Sequence, residues 1–161
     1  MKTVAKRFRR RWFADLKAEA LAWWVRTASD HRLRTVMRSR CRSVLLWAIF
    51  RTIRQRAQPG TPVNAVVEFR IAGRRDGGVD RYQLAFTNGR CMTSRHHRPN
   101  PALTLTVDPV AFLHLVGGTA SPQRLFIAGR LKLRGDLILA LALPATLRIP
   151  RRRPQPPSRK R

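Results

Sequence analysis

The chain has 161 residues, 43% of them hydrophobic, which suits one domain with extensions. Its 34 Lys and Arg against 8 Asp and Glu give a formal net charge of +26, a surface that attracts nucleic acid, anionic lipid head groups or an acidic partner. The two cysteines, Cys41 and Cys91, exclude a disulfide framework and a cysteine metal motif, and fit a reducing, cytoplasmic setting. No signal peptide is expected, and the apolar run Val44–Phe50 is far short of the roughly 20 residues a spanning helix needs. The expected protein is therefore soluble or peripheral at a membrane.

Residues 3–28 contain neither Pro nor Gly and predict a helix with Val4, Phe8, Trp12, Leu16, Ala20 and Trp23 on one face. Arg7, Arg9, Arg10 and Arg11 crowd its start, where the helix dipole prefers acids. Arg with Trp on such a helix is the composition of an interfacial membrane helix, although amphipathic helices more often serve a core. Ser29-Asp30 predicts a cap and a break. A second helix is expected over 31–57, with Leu33, Val36, Met37, Cys41, Val44, Leu45, Ala48, Ile49 and Ile53 on its apolar stripe and Arg34, Arg38, Arg42 and Arg54 off it. Pro59-Gly60-Thr61-Pro62 ends helical structure.

A β region follows. Val63, Ala65, Val67, Phe69 and Ile71 alternate with Asn64, Val66, Glu68 and Arg70, and Asp76-Gly77-Gly78 supplies a turn. Tyr82, Leu84 and Phe86 mark a second strand, and Asn88-Gly89 signals a tight hairpin into a third at 90–95. His96 and His97 are adjacent, without an acid or Cys at ligand spacing, and read as loop residues rather than a metal site. Leu103, Leu105 and Val107 predict a fourth strand with Thr104 and Thr106 outward. Asp108-Pro109 starts a helix carrying Phe112, Leu115 and Val116. Gly117-Gly118 ends it, and Ser121-Pro122 starts a short helix with Leu125 and Phe126. Leu131 and Leu133 alternate with Lys132 and Arg134 in a fifth strand. Gly135 breaks that strand and Asp136 caps a last helix that is apolar all round from Leu137 to Leu143, the mark of an element buried on every side or flanked by something apolar. Pro144 is expected to interrupt it. Residues 151–161, Arg and Pro with one Ser, one Gln and one Lys, are expected to be a disordered tail.

These elements, in this order, resemble the sterol-carrier-protein (non-specific lipid-transfer) domain family. The likeness rests on the strands Val66–Ile71 and Tyr82–Phe86 leading to Asn88-Gly89, and on Pro101–Asp108 running into Phe112–Gly117. It is strongest in Phe126–Asp136, which is similar to the family's Phe-x-x-Gly-x-Leu-x-x-x-Gly-Asp stretch. The resemblance covers roughly 40–150 and implies an α+β fold: a five-stranded, mostly antiparallel sheet with helices covering one face and enclosing an apolar tunnel, here preceded by an extra N-terminal amphipathic helix. The expected organisation is a basic helical extension at 1–28, a lipid-binding domain at 29–150 with sheet and helices over 63–149, and the tail at 151–161.

The resemblance also implies the ligand class: a fatty acid, sterol or isoprenoid, held in a cavity without cofactor or metal, and in some family members presented to a biosynthetic enzyme. The candidate lining is Phe69 and Phe86 from the sheet with Phe112, Leu115, Phe126, Leu137 and Leu141 from the helices, set against the plainer reading that they fill a solid core. The basic ends, 1–28 and 151–161, would hold the protein at an anionic membrane, with Arg130, Lys132 or Arg134 near the mouth for a phosphate-bearing ligand. Nucleic-acid binding is the alternative, or an accessory scaffold whose apolar residues are only core. It lacks aromatic residues interleaved with basic ones on a strand face. Catalysis is not expected, because Asp76, Asp108 and Asp136 are accounted for by turns and caps and no nucleophile–base pair has supporting context.

Overall fold

The computed structural model describes residues 18–57, 64–94 and 99–147. The elements are α1 (Ala18–Thr27), α2 (Asp30–Arg38), α3 (Arg42–Arg56), β1 (Ala65–Ile71), β2 (Asp80–Thr87), β3 (Arg90–Ser94), β4 (Leu103–Val107), α4 (Pro109–Val116), α5 (Pro122–Ile127), β5 (Leu131–Gly135) and α6 (Leu137–Thr146). The first part of the predicted N-terminal helix, the Pro59–Pro62 boundary, the His96-His97 pair and the 151–161 tail lie outside the described residues.

The strands form one sheet in the order β3-β2-β1-β4-β5. β1–β2, β2–β3 and β4–β5 pair antiparallel, and β1–β4 pair parallel, so the sheet is mixed and mostly antiparallel. The β2–β3 connection is a tight turn in which Asn88 (φ 50°) and Gly89 (φ 70°) both adopt the left-handed backbone that this dipeptide tolerates. In the β1–β2 connection the Asp76 carboxylate accepts from the Gly78 N–H at 3.0 Å.

Register sorts the side chains into two faces. Val67, Phe69 and Ile71 stand beside Leu84, Tyr82 and Asp80 on one side and Leu103, Leu105 and Val107 on the other. α3 and α4 pack on this apolar face. Four rings join the layers: Phe50 of α3 stacks on Tyr82 at 4.2 Å and on Phe112 of α4 at 5.6 Å, and meets Phe69 edge-on at 5.4 Å.

Caps agree with the sequence. Ser29, Asp108, Ser121 and Asp136 each accept from a backbone N–H in the first turn of α2, α4, α5 and α6. The helix expected over 31–57 is instead two helices broken at Ser39–Cys41. The Ser39 hydroxyl donates to the Val36 carbonyl at 2.7 Å and accepts from the Cys41 N–H at 3.2 Å, which gives the backbone an alternative to helical bonding. The break brings Arg42 inward. Expected off the apolar stripe, it is buried, and its guanidinium donates to Asp80, Met37 O, Gly73 O, Ile71 O and Ala72 O at 2.6–3.1 Å. A buried cation is tolerated when its donors are matched in this way.

Two further expectations change. Ala20 and Trp23 do not face the core, because α1 turns Leu21, Ala22 and Val25 inward. Val25 abuts Gly117, where an added Cβ would come within 3.0 Å of Val25 Cγ1. Pro144 does not end α6. The helix continues through it to Thr146, and the Leu147 N–H still reaches the Leu143 carbonyl, so the cost is the one N–H that proline lacks.

Candidate functional site

The apolar face of the sheet and the helices over it hold the residues proposed as a lining. Phe69 and Phe86 project from β1 and β2 on that face, and Phe112 and Leu115 descend from α4, and all four are buried. Phe69 and Phe112 approach edge-on at 6.5 Å. Phe50 and Tyr82 complete the aromatic cluster and were not among the residues anticipated. The signal for Phe50 is the breadth of the α3 apolar arc, in which Leu45, Leu46, Ile49 and Phe50 all turn inward.

The other three candidates stand apart from this cluster. Phe126, Leu137 and Leu141 are exposed, beside Ile127 and Ile138, which are 85% and 81% exposed. α6 is held by one narrow stripe: Leu139, Leu143 and Leu147 enter the core while Leu137, Ile138 and Leu141 face outward. The all-round apolar sequence of this helix therefore does not mean burial on every side.

Gly135 sets the start of α6. Its φ of 111° favours glycine, and a Cβ would run into the Ala102 carbonyl oxygen. The next residue, Asp136, donates its N–H to that same carbonyl at 2.8 Å, so the strand-to-helix corner is pinned to the start of β4.

Arg130, Lys132 and Arg134 separate in the structure. Arg130 is tied to Asp108 at 2.6 Å. Burial pushes the Asp108 carboxyl up, but hydrogen bonds from Arg130 and from the N–H groups of Ala111 and Val110 outweigh it and hold the group below its ordinary range. Lys132 and Arg134 are exposed on the face opposite the helices. That second face is polar, yet Glu68, Gln83 and Thr104 within it are buried. Glu68 accepts from Arg70 at 2.5 Å and from Gln83 at 2.9 Å.

A hydroxyl–imidazole–carboxylate chain lies at the other side of α4. His114 Nε2 is 3.0 Å from Asp30 Oδ1, and Nδ1 is 2.7 Å from Thr119 Oγ1. The Thr119 hydroxyl also donates to the His114 carbonyl at 3.2 Å, and the Thr119 and Ala120 N–H groups donate to that same oxygen. Those N–H groups are therefore turned inward, and the arrangement ties the start of α2 to the end of α4. Among the described residues no group of three or more His, Cys, Asp or Glu could hold a metal ion, and no helix is long and apolar enough to cross a membrane.

A mixed five-stranded sheet with an apolar helical layer and a Gly-Asp corner into a last apolar helix defines the chain as an α+β domain. The chain belongs to the SCP-2 sterol transfer family, whose sequence profile matches residues 49–148. It is 28% identical over 97 residues to a fatty acid-binding protein of Yarrowia lipolytica, covering 59% of this chain and 74% of that one. Among solved structures, the apo form of sterol carrier protein 2 from Yarrowia lipolytica matches with a TM-score of 0.53 and 22% identity, covering 70% of this chain and 95% of that one. Palmitated SCP2L2 from Aedes aegypti matches with a TM-score of 0.50 and 23% identity, covering 62% and 90%.

Proposed function

We propose that this protein binds a hydrophobic lipid (a fatty acyl, sterol-like or isoprenoid chain) in an apolar cavity between the sheet and its helices, and carries or presents it near an anionic membrane. The observation that carries this reading is α6. In a chain of the lipid-transfer family, a helix that seats three leucines in the core and exposes Leu137 and Leu141 is a wall held on one side only. Phe126, Leu137 and Leu141 would form the mouth, and Phe69, Phe86, Phe112 and Leu115 the closed end, which an acyl tail enters by displacing side-chain contacts. Palmitate on a structural relative supports an acyl ligand. The action is binding rather than bond chemistry, in keeping with a sterol transfer family, and the protein serves a reducing, cytoplasmic compartment, in keeping with free Cys41 and Cys91. The organisation proposed is a lipid-binding domain at 29–150 between two basic extensions.

The test is lipid itself. Native mass spectrometry of the purified protein should show a bound acyl or isoprenoid species, and a fluorescent fatty acid should titrate to saturation. An empty protein that also takes up no fluorescent fatty acid overturns the reading.

A further inference from the structure

β5 is an edge strand, and its surroundings combine two chemistries. Register places Arg81, Arg70, Thr106 and Lys132 in one row across the polar face of the sheet, from β2 through β1 and β4 to β5. Arg134 follows Lys132 on the same face, beside Thr104. Arg70 and Arg81 are directly opposed, an arrangement that like charges disfavour. Glu68 takes up the Arg70 charge, but among the described residues Arg81, Lys132 and Arg134 are in no ion pair, and all three are exposed. Both ends of this cationic strand carry exposed apolar side chains: Ile127 at the end of α5, and Leu137, Ile138 and Leu141 on the outer side of α6.

We propose that the β5 edge is a membrane-docking surface that recognises an anionic phospholipid bilayer. Lys132 and Arg134 meet the head groups while Ile127 and Ile138 enter the acyl boundary. Charge chooses this occupant. A second copy of the chain would bring another Lys132–Arg134 pair and another +26 against the first, and lysine on an edge strand resists such pairing. A nucleic acid would satisfy the cations but leave isolated aliphatic side chains with no base-stacking use. The inference rests on the lipid-holding reading only in that docking here puts the proposed mouth at the acyl layer. It also replaces the basic ends of the chain as the determinant of where the protein sits on the membrane.

The test is cosedimentation of the full-length chain with vesicles of phosphatidylglycerol and phosphatidylcholine, or of phosphatidylcholine alone, beside uptake of a fluorescent fatty acid in the absence of vesicles. Two variants are compared, K132E/R134E and I127S/I138S, each checked for an unchanged thermal transition. The expected result is binding to the anionic vesicles only, weakened by added salt, and reduced about tenfold or more in each variant while fatty-acid uptake persists. Equal vesicle binding by the variants and the parent overturns the proposal. So does loss in K132E/R134E with full binding in I127S/I138S, since that is charge attraction without insertion, the pattern that displacement by single-stranded RNA would assign to nucleic acid. Failure of the parent protein to take up fatty acid would count against the lipid-holding reading alone.

Discussion

α4 and α6 are nearly alike as sequences and opposite as structures. Pro-Val-Ala-Phe-Leu-His-Leu-Val and Leu-Ile-Leu-Ala-Leu-Ala-Leu-Pro-Ala-Thr are both almost wholly apolar. Yet α4 buries Val110, Ala111, Phe112, Leu113 and Leu115, whereas α6 buries only Leu139 and Leu143 within its span. The difference is in the neighbours. α4 has the sheet beneath it, α3 beside it and α1 and α2 against its far side, with Val25 on Gly117 and Asp30 on His114. α6 follows the edge strand, so nothing flanks its outer side among the described residues. Apolar composition asks for an apolar neighbour, and only the topology says whether that neighbour is protein.

The largest effect should fall on α4. Phe112→Ala removes a ring that Phe50 and Phe69 pack against, and should cost about 3–5 kcal/mol in urea unfolding. A loss under about 1 kcal/mol would mean that the aromatic cluster is loosely packed, and would narrow the contrast with α6. Arg42→Ala should cost about 3 kcal/mol by the same measurement, because it leaves the Asp80 carboxylate and four backbone carbonyls without their donor. Gly135→Ala should cost about 2 kcal/mol or more, by forcing a Cβ toward Ala102 O at a left-handed backbone position. Its damage should be local to the α6 corner, with hydrogen exchange rising in α6 before α4.

The order of elements, the caps and the hairpin turn were legible because each rests on local chemistry: Asp108 before Pro109, Asp136 after Gly135, Asn88 before Gly89. The inward turn of Arg42 was not, because all its partners but the Met37 carbonyl lie 29 or more residues away, at Ile71, Ala72, Gly73 and Asp80, and a helical wheel sees only the nearest turn. The burial of α1 through Leu21 and Val25 rather than through Ala20 and Trp23 failed for a related reason. Both stripes have helical spacing, and Gly117, ninety-two positions beyond Val25, makes room for one of them. Of the candidate lining, Phe69 and Phe86 stand on the apolar sheet face that alternation assigned them. Which helix residues face outward was not readable, since α6 has no polar side to mark its exposed one.

Acid should separate the two helices. The Asp108 carboxyl is held below its ordinary value, so the folded state binds its proton less readily than the unfolded chain does. That contribution is complete above about pH 4, the ordinary range of the group, and is lost as pH falls through the lower folded value. Asp108→Asn keeps a capping side chain without the titration, so its thermal midpoint should fall less steeply than the parent's between about pH 4 and pH 2. Parallel curves would assign the acid loss to other carboxylates.

The smallest effect on stability should come from Leu141→Ser on the outer side of α6, and it is the sharpest test of the contrast. A side chain 65% exposed has little burial to lose, and the change should shift unfolding by no more than about 0.5 kcal/mol. A leucine that only idles at the surface would leave fluorescent fatty-acid uptake equally unchanged. At the mouth of a lipid site it would instead weaken uptake several-fold with stability intact, because its apolar neighbour is the ligand and is absent from the unliganded fold. If stability falls by 2 kcal/mol or more, Leu141 is packed as the α4 residues are, and the difference between the two helices disappears.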